Sequence, residues 1–233
     1  MRTNRLRAFF PSASGLILVA FAVLGAAPRV SAQVSPPPAA SRTDLVVALH
    51  VATPAWIHEQ YDMVAAALRR DAFGWTPLMV AAAGNRDPRV IDALLERGER
   101  IDARSLDHWS ALMFAAAFNP EPAVARALIA AGADPNERTR DAWSALFGAA
   151  RYTGENLRFN ALEAVEGGVG LSVVPSDERG WTPLFFAARF NRESAVSDAL
   201  IAAGADADSL DEYGRSAASY APAGSQALAT NRR

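Results

Sequence analysis

The sequence predicts an all-α solenoid made of stacked pairs of short helices. Three observations predict it: apolar runs with helical periodicity, a Thr or Ser directly before each run, and a nearly constant spacing between the runs. The Thr or Ser residues are Thr76, Ser110, Ser144, Thr182 and Ser216. Three of the four intervals between them are equal, and the interval from Ser144 to Thr182 is four residues longer. A fixed period of about 34 residues indicates a repeated supersecondary unit. Because one helix pair cannot bury its apolar stripe alone, the units must stack.

The first helix of each unit is predicted to begin at the Thr or Ser. We expect the hydroxyl of all five residues to cap the helix. Pro77 and Pro183 follow two of them at the first helical position, where a missing N–H costs nothing. In the first unit Leu78, Ala81 and Ala82 share one face, and the units that begin at Ser110 and Thr182 repeat this pattern. Paired alanines let neighbouring helices approach closely.

The second helix of each unit is predicted to end at a glycine, first at Gly98, and a polar, turn-rich hairpin follows it. The next unit begins after this hairpin. Three hairpin turns contain glycine, but His108 and Ala142 replace it in the two middle units. Since glycine tolerates positive φ most easily, this replacement leaves the turn geometry of the middle units open.

The runs TPLMVAA, SALMFAA, SALFGAA, TPLFFAA and SAASYAP, with Gly-Ala-Asp at Gly132 and Gly204, resemble the ankyrin-repeat family over roughly Thr43 to Ala229. The family's usual His after Leu is replaced by Met79, Met113, Phe147, Phe185 and Ser219, so we expect apolar packing there. The resemblance implies one domain, 43–229. Its units are an N-terminal cap at 43–70, repeats at about 71–104, 105–138, 139–176 and 177–210, and a C-terminal cap at 211–229. The repeat at 139–176 is four residues longer, and a working loop and a tolerated insertion both remain open.

The segment Met1 to Ala32 has the pattern of an export signal. Three arginines precede an apolar run, Leu16 to Ala27, and a small-residue site ends at Ala32. The run falls well short of the roughly 20 residues that span a bilayer, so we expect cleavage after Ala32 and a periplasmic or secreted protein. An uncleaved membrane anchor is the alternative. Residues 33–42 contain three consecutive prolines and are predicted to be an extended linker.

Charge and composition argue against several functions. Without residues 1–32 the chain keeps 19 arginines against 25 acidic residues, and these arginines are scattered, which does not fit nucleic-acid binding. The chain has no cysteine, and His50, His58 and His108 lack metal-ligand spacing. We find no nucleophile paired with a base, no phosphate-binding loop and no evident small-molecule site. The sequence therefore predicts neither an enzyme nor a cofactor or metal.

The resemblance implies a protein-binding face. In ankyrin-like repeats the residue before the cap lies on the inner side of the hairpin finger, and the residues after the paired alanines line the same concave side. Phe73 and Tyr213, which stand two positions before the first and the last of the finger residues, extend the set. The candidate partner-binding residues are therefore Phe73, Trp75, Trp109, Phe118, Trp143, Arg151, Tyr152, Trp181, Arg189, Phe190, Tyr213 and Arg215. Large aromatic side chains and arginines supply interface hot spots.

The hypothesis from the sequence is an exported scaffold that binds another protein through its concave face and hairpin tips. One alternative is that the tryptophans form a stacking ladder that only holds neighbouring repeats together. The chain would then be an envelope-tethered spacer. A secreted effector is a further alternative.

Overall fold

The computed structural model describes residues 42–68, 73–151, 176–177, 180–190 and 194–221. The prediction of an all-α solenoid is confirmed. The helices in these ranges are α1 (Arg42–Val51), α2 (Pro54–Leu68), α3 (Pro77–Gly84), α4 (Arg89–Glu96), α5 (Ala111–Phe118), α6 (Pro122–Ala130), α7 (Ala145–Arg151), α8 (Pro183–Phe190), α9 (Ser194–Ala202) and a 3₁₀ helix (Ala217–Tyr220). The only β-type pairing there is an isolated bridge between Leu210 and Ser216. None of the described helices is long and apolar enough to cross a membrane.

The first helices of successive units pack side by side in the order α1, α3, α5, α7, α8, and the 3₁₀ helix ends this row. The second helices α2, α4 and α6 form a parallel layer, while α9 packs on α8. The core lies between the layers. Met79, Met113, Phe147 and Phe185 are buried there, so the expected apolar packing is found at these four positions. Ser219, at the fifth, is exposed.

The predicted hydroxyl caps form at only two of the five first helices. Thr76 Oγ1 accepts a hydrogen bond from the N–H of Met79 at 3.3 Å, and Ser110 Oγ accepts one from the N–H of Met113 at 3.4 Å. The prediction is wrong for the other three, Ser144, Thr182 and Ser216, whose hydroxyls make no such bond. There the first turn is tighter, because the N–H three residues on donates to the backbone carbonyl of the cap residue instead, at 3.0–3.1 Å.

The four hairpin turns before α5, α7, α8 and the 3₁₀ helix share one geometry. In the second repeat the N–H of Ser105 donates to the carbonyl of Trp109, and the N–H of His108 donates to the carbonyl of Ser105. His108 and Ala142 have φ 62°, close to the 76° of Gly180. The turn geometry that the sequence left open is therefore the same with and without glycine. A left-handed conformation costs a residue with a Cβ roughly 1–2 kcal/mol.

Two buried asparagines tie successive units together, and the sequence analysis did not identify them. Asn85 Nδ2 donates to the carbonyls of Leu49 (2.8 Å) and Ala52 (2.9 Å) in the preceding unit. Asn119 Nδ2 repeats the arrangement one unit later, with the carbonyls of Ala82 (2.9 Å) and Asn85 (2.7 Å). These bonds satisfy carbonyls at helix ends that have no partner within their own helix.

Candidate functional site

Three of the hairpin turns fix a tryptophan just before a first helix. The N–H of Trp109 donates to Ser105 Oγ at 3.0 Å, that of Trp143 to Thr139 Oγ1 at 3.1 Å, and that of Trp181 to Asp177 Oδ1 at 2.8 Å. Because the backbone of these three fingers is held in the same way, their indole rings stand in register along the stack. The tryptophan row predicted from the sequence is present as a geometric feature.

The first two tryptophans belong to an N-terminal aromatic cluster, which we define as Phe73, Trp75, Trp109, Phe114 and Phe118. Trp75 meets Phe114 edge to face at 5.3 Å between ring centroids, and Trp109 lies 5.3 Å from the same ring. Trp109 also stacks on Phe118 at 6.0 Å with an interplanar angle of 17°. Trp75 is only 5 % exposed, whereas Trp109 and Phe118 are partly buried.

The other two tryptophans belong to a C-terminal aromatic cluster. Trp143 meets Phe186 at 5.0 Å and Trp181 meets the same ring at 5.2 Å, both edge to face. Trp181 also lies 4.8 Å from Tyr220 in the following unit. We define the cluster as Trp143, Phe147, Trp181, Phe185, Phe186, Phe190 and Tyr220. Trp143 and Trp181 are partly buried.

The rings that join successive tryptophans were missed in the sequence analysis. Phe114 contacts both Trp75 and Trp109, and Phe186 contacts both Trp143 and Trp181. Both stand four residues after the Thr or Ser, a position that faces the preceding finger. The signal was present as the column Val80, Phe114, Gly148, Phe186 and Tyr220, which holds three aromatic residues in five repeats.

In the last finger Arg215 takes the place of a tryptophan. Its guanidinium lies over the rings of Tyr213 (4.7 Å) and Tyr220 (4.6 Å) and pairs with Asp211 at 3.4 Å. Burial alone would raise the pKa of Asp211. Hydrogen bonds from the Tyr220 hydroxyl and from the N–H groups of Arg215 and Tyr213, together with the charge of Arg215, lower that pKa to about 2.

Four candidate residues are exposed at the C-terminal part of the row. Arg189 and Phe190 end α8, and the side chain of Phe190 is 36 % exposed. Tyr213 is 66 % exposed, and Arg215 is exposed beside it. Arg151 ends α7, but its side chain is not described, and Tyr152 lies outside the described residues. The structure thus places aromatic rings and two exposed arginines on one continuous series of fingers and helix ends.

The histidines form no common site. The His50 ring packs against Gly84, where a Cβ would lie 2.6 Å from the ring, and burial lowers the pKa of His50 to about 4, partly opposed by a hydrogen bond with the backbone of Val80. His58 lies 3.5 Å from Glu96, and both are largely exposed. His108 occupies a turn. In the described ranges no three His, Asp or Glu side chains are grouped as metal ligands. The arrangement suits contact with another macromolecule by aromatic and cationic side chains.

Models of a known protein family match two parts of the chain. A model for ankyrin repeats in three copies matches residues 49–139, and a model for a single ankyrin repeat matches residues 179–212. No curated protein sequence matches the chain significantly.

Two solved structures with the same fold illustrate the similarity. One is described as the predatory endopeptidase Bd0816 from Bdellovibrio bacteriovorus in complex with immunity protein Bd3460; the match has 24 % identity and a TM-score of 0.59, and covers 81 % of this chain and 97 % of the other. The second is the ankyrin repeat domain of Bcl-3, with 22 % identity, a TM-score of 0.58 and coverage of 74 % and 76 %. At these identities the likeness shows the fold.

Proposed function

This chain belongs to the ankyrin-repeat family, and on that basis we propose that it is an exported scaffold that binds another protein through the concave face and hairpin tips of its repeat stack. One observation carries the proposal: the tryptophans stand in register, and three of the four are only partly buried. Their inner faces stabilise the stack, and their remaining surface is open to a partner. Tryptophan and arginine are enriched among residues that dominate binding energy.

The exposed end of the row strengthens the case for a protein partner. Phe190 and Tyr213 present aromatic area beside the cations Arg189 and Arg215. Arg215 is held between two tyrosine rings, so it loses little conformational freedom when a partner binds. One structure of the same fold is itself from a protein–protein complex, of an endopeptidase with an immunity protein. Export is supported by the signal pattern of residues 1–32.

A second function, a structural spacer, is favoured by a different observation. Trp75 is 5 % exposed and packs on Phe114 of the next repeat, as expected for a ring whose role is to hold repeats together. If all four tryptophans acted in this way, the chain would need no partner. The two functions differ in what happens when exposed residues of the row are removed without disturbing the stack.

The test uses the fragment 33–233, immobilised and exposed to native envelope extract, with any retained protein then purified for affinity measurement. The test variant is Arg189→Ala/Phe190→Ala, and Tyr213→Ala is made separately. Asp92→Ala and Asp198→Ala, exposed on the second helices α4 and α9, are the controls. Loss of a hot spot should weaken binding by about 2 kcal/mol or more, roughly thirtyfold. The melting temperature should be nearly unchanged in Tyr213→Ala, because Tyr213 is 66 % exposed. If the test and control variants bind equally, or nothing is retained, the spacer is the better description.

Export is tested separately by fractionation of cells that produce the full chain and by N-terminal sequencing of the product. A mature protein that begins at Gln33 in the periplasm or medium supports export with cleavage. A membrane-bound protein that retains residues 1–32 instead supports a tethered form. A product found with its leader intact in the cytoplasm would overturn the proposed location.

A further inference from the structure

The hairpin before the 3₁₀ helix exposes an aromatic ring. Tyr213 is 66 % exposed, and the guanidinium of Arg215 lies over its ring, 4.7 Å from the centroid. In the part of the chain that the structure describes, the Tyr213 ring has no other contact with an aromatic or charged side chain. Because Arg215 covers only one face of the ring, the exposed area of Tyr213 includes the opposite face.

The cation on the covered face is held in place, and its charge is offset. The same guanidinium lies 4.6 Å from the centroid of the Tyr220 ring and 3.4 Å from the carboxylate of Asp211. The Asp211 side chain is fully buried and also accepts the N–H groups of Tyr213 and Arg215, both at 2.9 Å. One buried acid therefore orients the stack of two rings and a guanidinium, and the charges of Asp211 and Arg215 cancel.

The remaining charge of this hairpin is negative. Asp206, Asp208 and Glu212 are exposed in it, and Glu212 directly precedes Tyr213. None of these three carboxylates forms an ion pair with another described residue. The open face of Tyr213 thus lies in a hairpin with three uncompensated carboxylates, whose potential attracts cations and repels anions.

We propose that the exposed face of Tyr213 receives an arginine side chain of the protein partner. An aromatic ring attracts a cation over either face, and a guanidinium already occupies the other face of this ring. The planar guanidinium suits such stacking better than the compact ammonium of lysine. The inference rests on the proposed function and adds to it the chemical class of one side chain that the partner contributes.

An acidic partner that pairs with Arg215 is the opposite arrangement. The side chain of Arg215 is 48 % exposed, so a carboxylate can reach it. Asp211 already neutralises that arginine, however, and the three exposed carboxylates of the hairpin repel a further anion. Charge complementarity therefore favours the cationic partner, and the experiment includes a probe of each sign.

The probe is N-acetyl-L-argininamide, added to fragment 33–233 with ¹³C-labelled tyrosine rings. The ring signals are assigned by single Tyr→Phe variants. We expect a shift at Tyr213 and little change at Tyr61. N-acetyl-L-citrullinamide has nearly the same shape without the charge, and at equal concentration it should shift Tyr213 at least about threefold less. If it matches the arginine probe, or if N-acetyl-L-glutamic acid amide shifts Tyr213 more than the arginine probe does, the inference is wrong.

Three variants locate the binding, followed by the ¹⁵N signal of Gly214. Tyr213→Leu keeps an apolar side chain without the ring and should weaken binding of the arginine probe about two- to fivefold. Glu212→Gln removes one nearby charge and should weaken it about twofold. Asp107→Asn is the control, because Asp107 is exposed at the position of Tyr213 in another hairpin and its loss changes the net charge equally. Equal weakening by Glu212→Gln and Asp107→Asn would show general attraction to an acidic protein and would overturn the inference.

A last variant separates the partner's arginine from those of this chain. If the wild type shows no shift at Tyr213 but Arg232→Ala/Arg233→Ala does, an arginine of the chain itself occupies the ring and the proposed occupant is wrong. The capture experiment fails independently of this one. A captured partner whose affinity falls in Arg189→Ala/Phe190→Ala but not in Tyr213→Leu or Glu212→Gln would overturn the arginine contact and leave the scaffold. Probe binding at Tyr213 with no captured partner would overturn the scaffold.

Discussion

Removal of the Asn119 side chain should destabilise the stack far more than its size suggests. Asn119 is 0 % exposed, and three hydrogen bonds of its side chain lie among the described residues: Nδ2 donates to the carbonyls of Ala82 and Asn85, and Oδ1 accepts from the N–H of Glu121 at 2.9 Å. Asn119→Ala loses all three and leaves buried carbonyls without donors. At about 1 kcal/mol for each bond, plus the cost of an unsatisfied buried group, we expect a loss of roughly 3–5 kcal/mol.

The measurement is equilibrium unfolding of fragment 33–233 in urea, followed by circular dichroism and tryptophan fluorescence. Asn136→Ala is the matched control, because Asn136 is exposed in a hairpin. Loss of that exposed side chain should change the free energy of unfolding by less than about 0.5 kcal/mol. If Asn119→Ala costs no more than the control, then the asparagine bonds do not hold successive units together and the reasoning fails.

Asn119→Asp sharpens the same test. A carboxylate would face two carbonyl oxygens, so the folded state should raise the pKa of the new acid above that of the unfolded chain. The deficit relative to wild type should then be smallest at acidic pH, where the acid keeps a proton to donate, and should grow as pH rises. A deficit independent of pH would show that the side chain at 119 does not face these carbonyls.

Three other predictions follow from single residues. Ala142→Gly, at a left-handed position, should stabilise by up to about 1 kcal/mol in urea unfolding, because relief of a left-handed alanine exceeds the entropy that glycine adds to the unfolded chain. Ala127→Gly, inside α6, is the control and should lower the free energy of unfolding by about 1 kcal/mol. If both glycine variants lowered the free energy of unfolding by the same amount, the argument would be refuted. The pKa of His50 is about 4 in the folded chain against an ordinary value of 6.5, so the fold favours the neutral ring. Its contribution to stability is therefore complete above pH 6.5 and is lost as the pH falls below that value. By linkage this loss reaches about 2 kcal/mol at pH 5, and His50→Gln should remove this part of the pH dependence. An unchanged slope in that variant would assign the acid sensitivity to other groups. Trp75→Ala should cost roughly 3–5 kcal/mol of stability and Tyr213→Ala less than about 0.5 kcal/mol, as thermal melting can show. Similar costs would contradict the burial difference between them.

The fold could be predicted because repetition multiplies a weak signal. One TPLMVAA run indicates a short helix, but five runs in a common register require a stack. The caps were harder to predict, since Ser110 and Ser144 look alike in sequence. They differ only in whether the N–H three residues on donates to the hydroxyl or to the carbonyl of the cap residue. No local pattern in the sequence distinguishes these two arrangements.

The candidate site shows the same limit. The tryptophans could be placed from their register, but their partners could not, because contact between Trp75 and Phe114 depends on the distance between adjacent fingers and helices. The roles of Asn85 and Asn119 were missed for a related reason. Their bonds reach backbone carbonyls of the preceding unit, and backbone acceptors leave no trace in the sequence. His108 and Ala142 adopt the glycine conformation in turns that have the same hydrogen bonds as the glycine-containing turn at Gly180.

A tryptophan row that stabilises the stack can also serve recognition, because the two roles use different parts of the ring. Stabilisation depends on the buried area, and Trp75 shows that this position can be almost completely covered. The other three tryptophans are less completely buried, although Phe114 and Phe186 already contact them; they are Trp109, Trp143 and Trp181. Rings fixed by the fold lose little entropy when a partner covers the rest of their surface, so the same packing that rigidifies the repeats prepares the face for binding. The stacking ladder is then the support of the recognition surface.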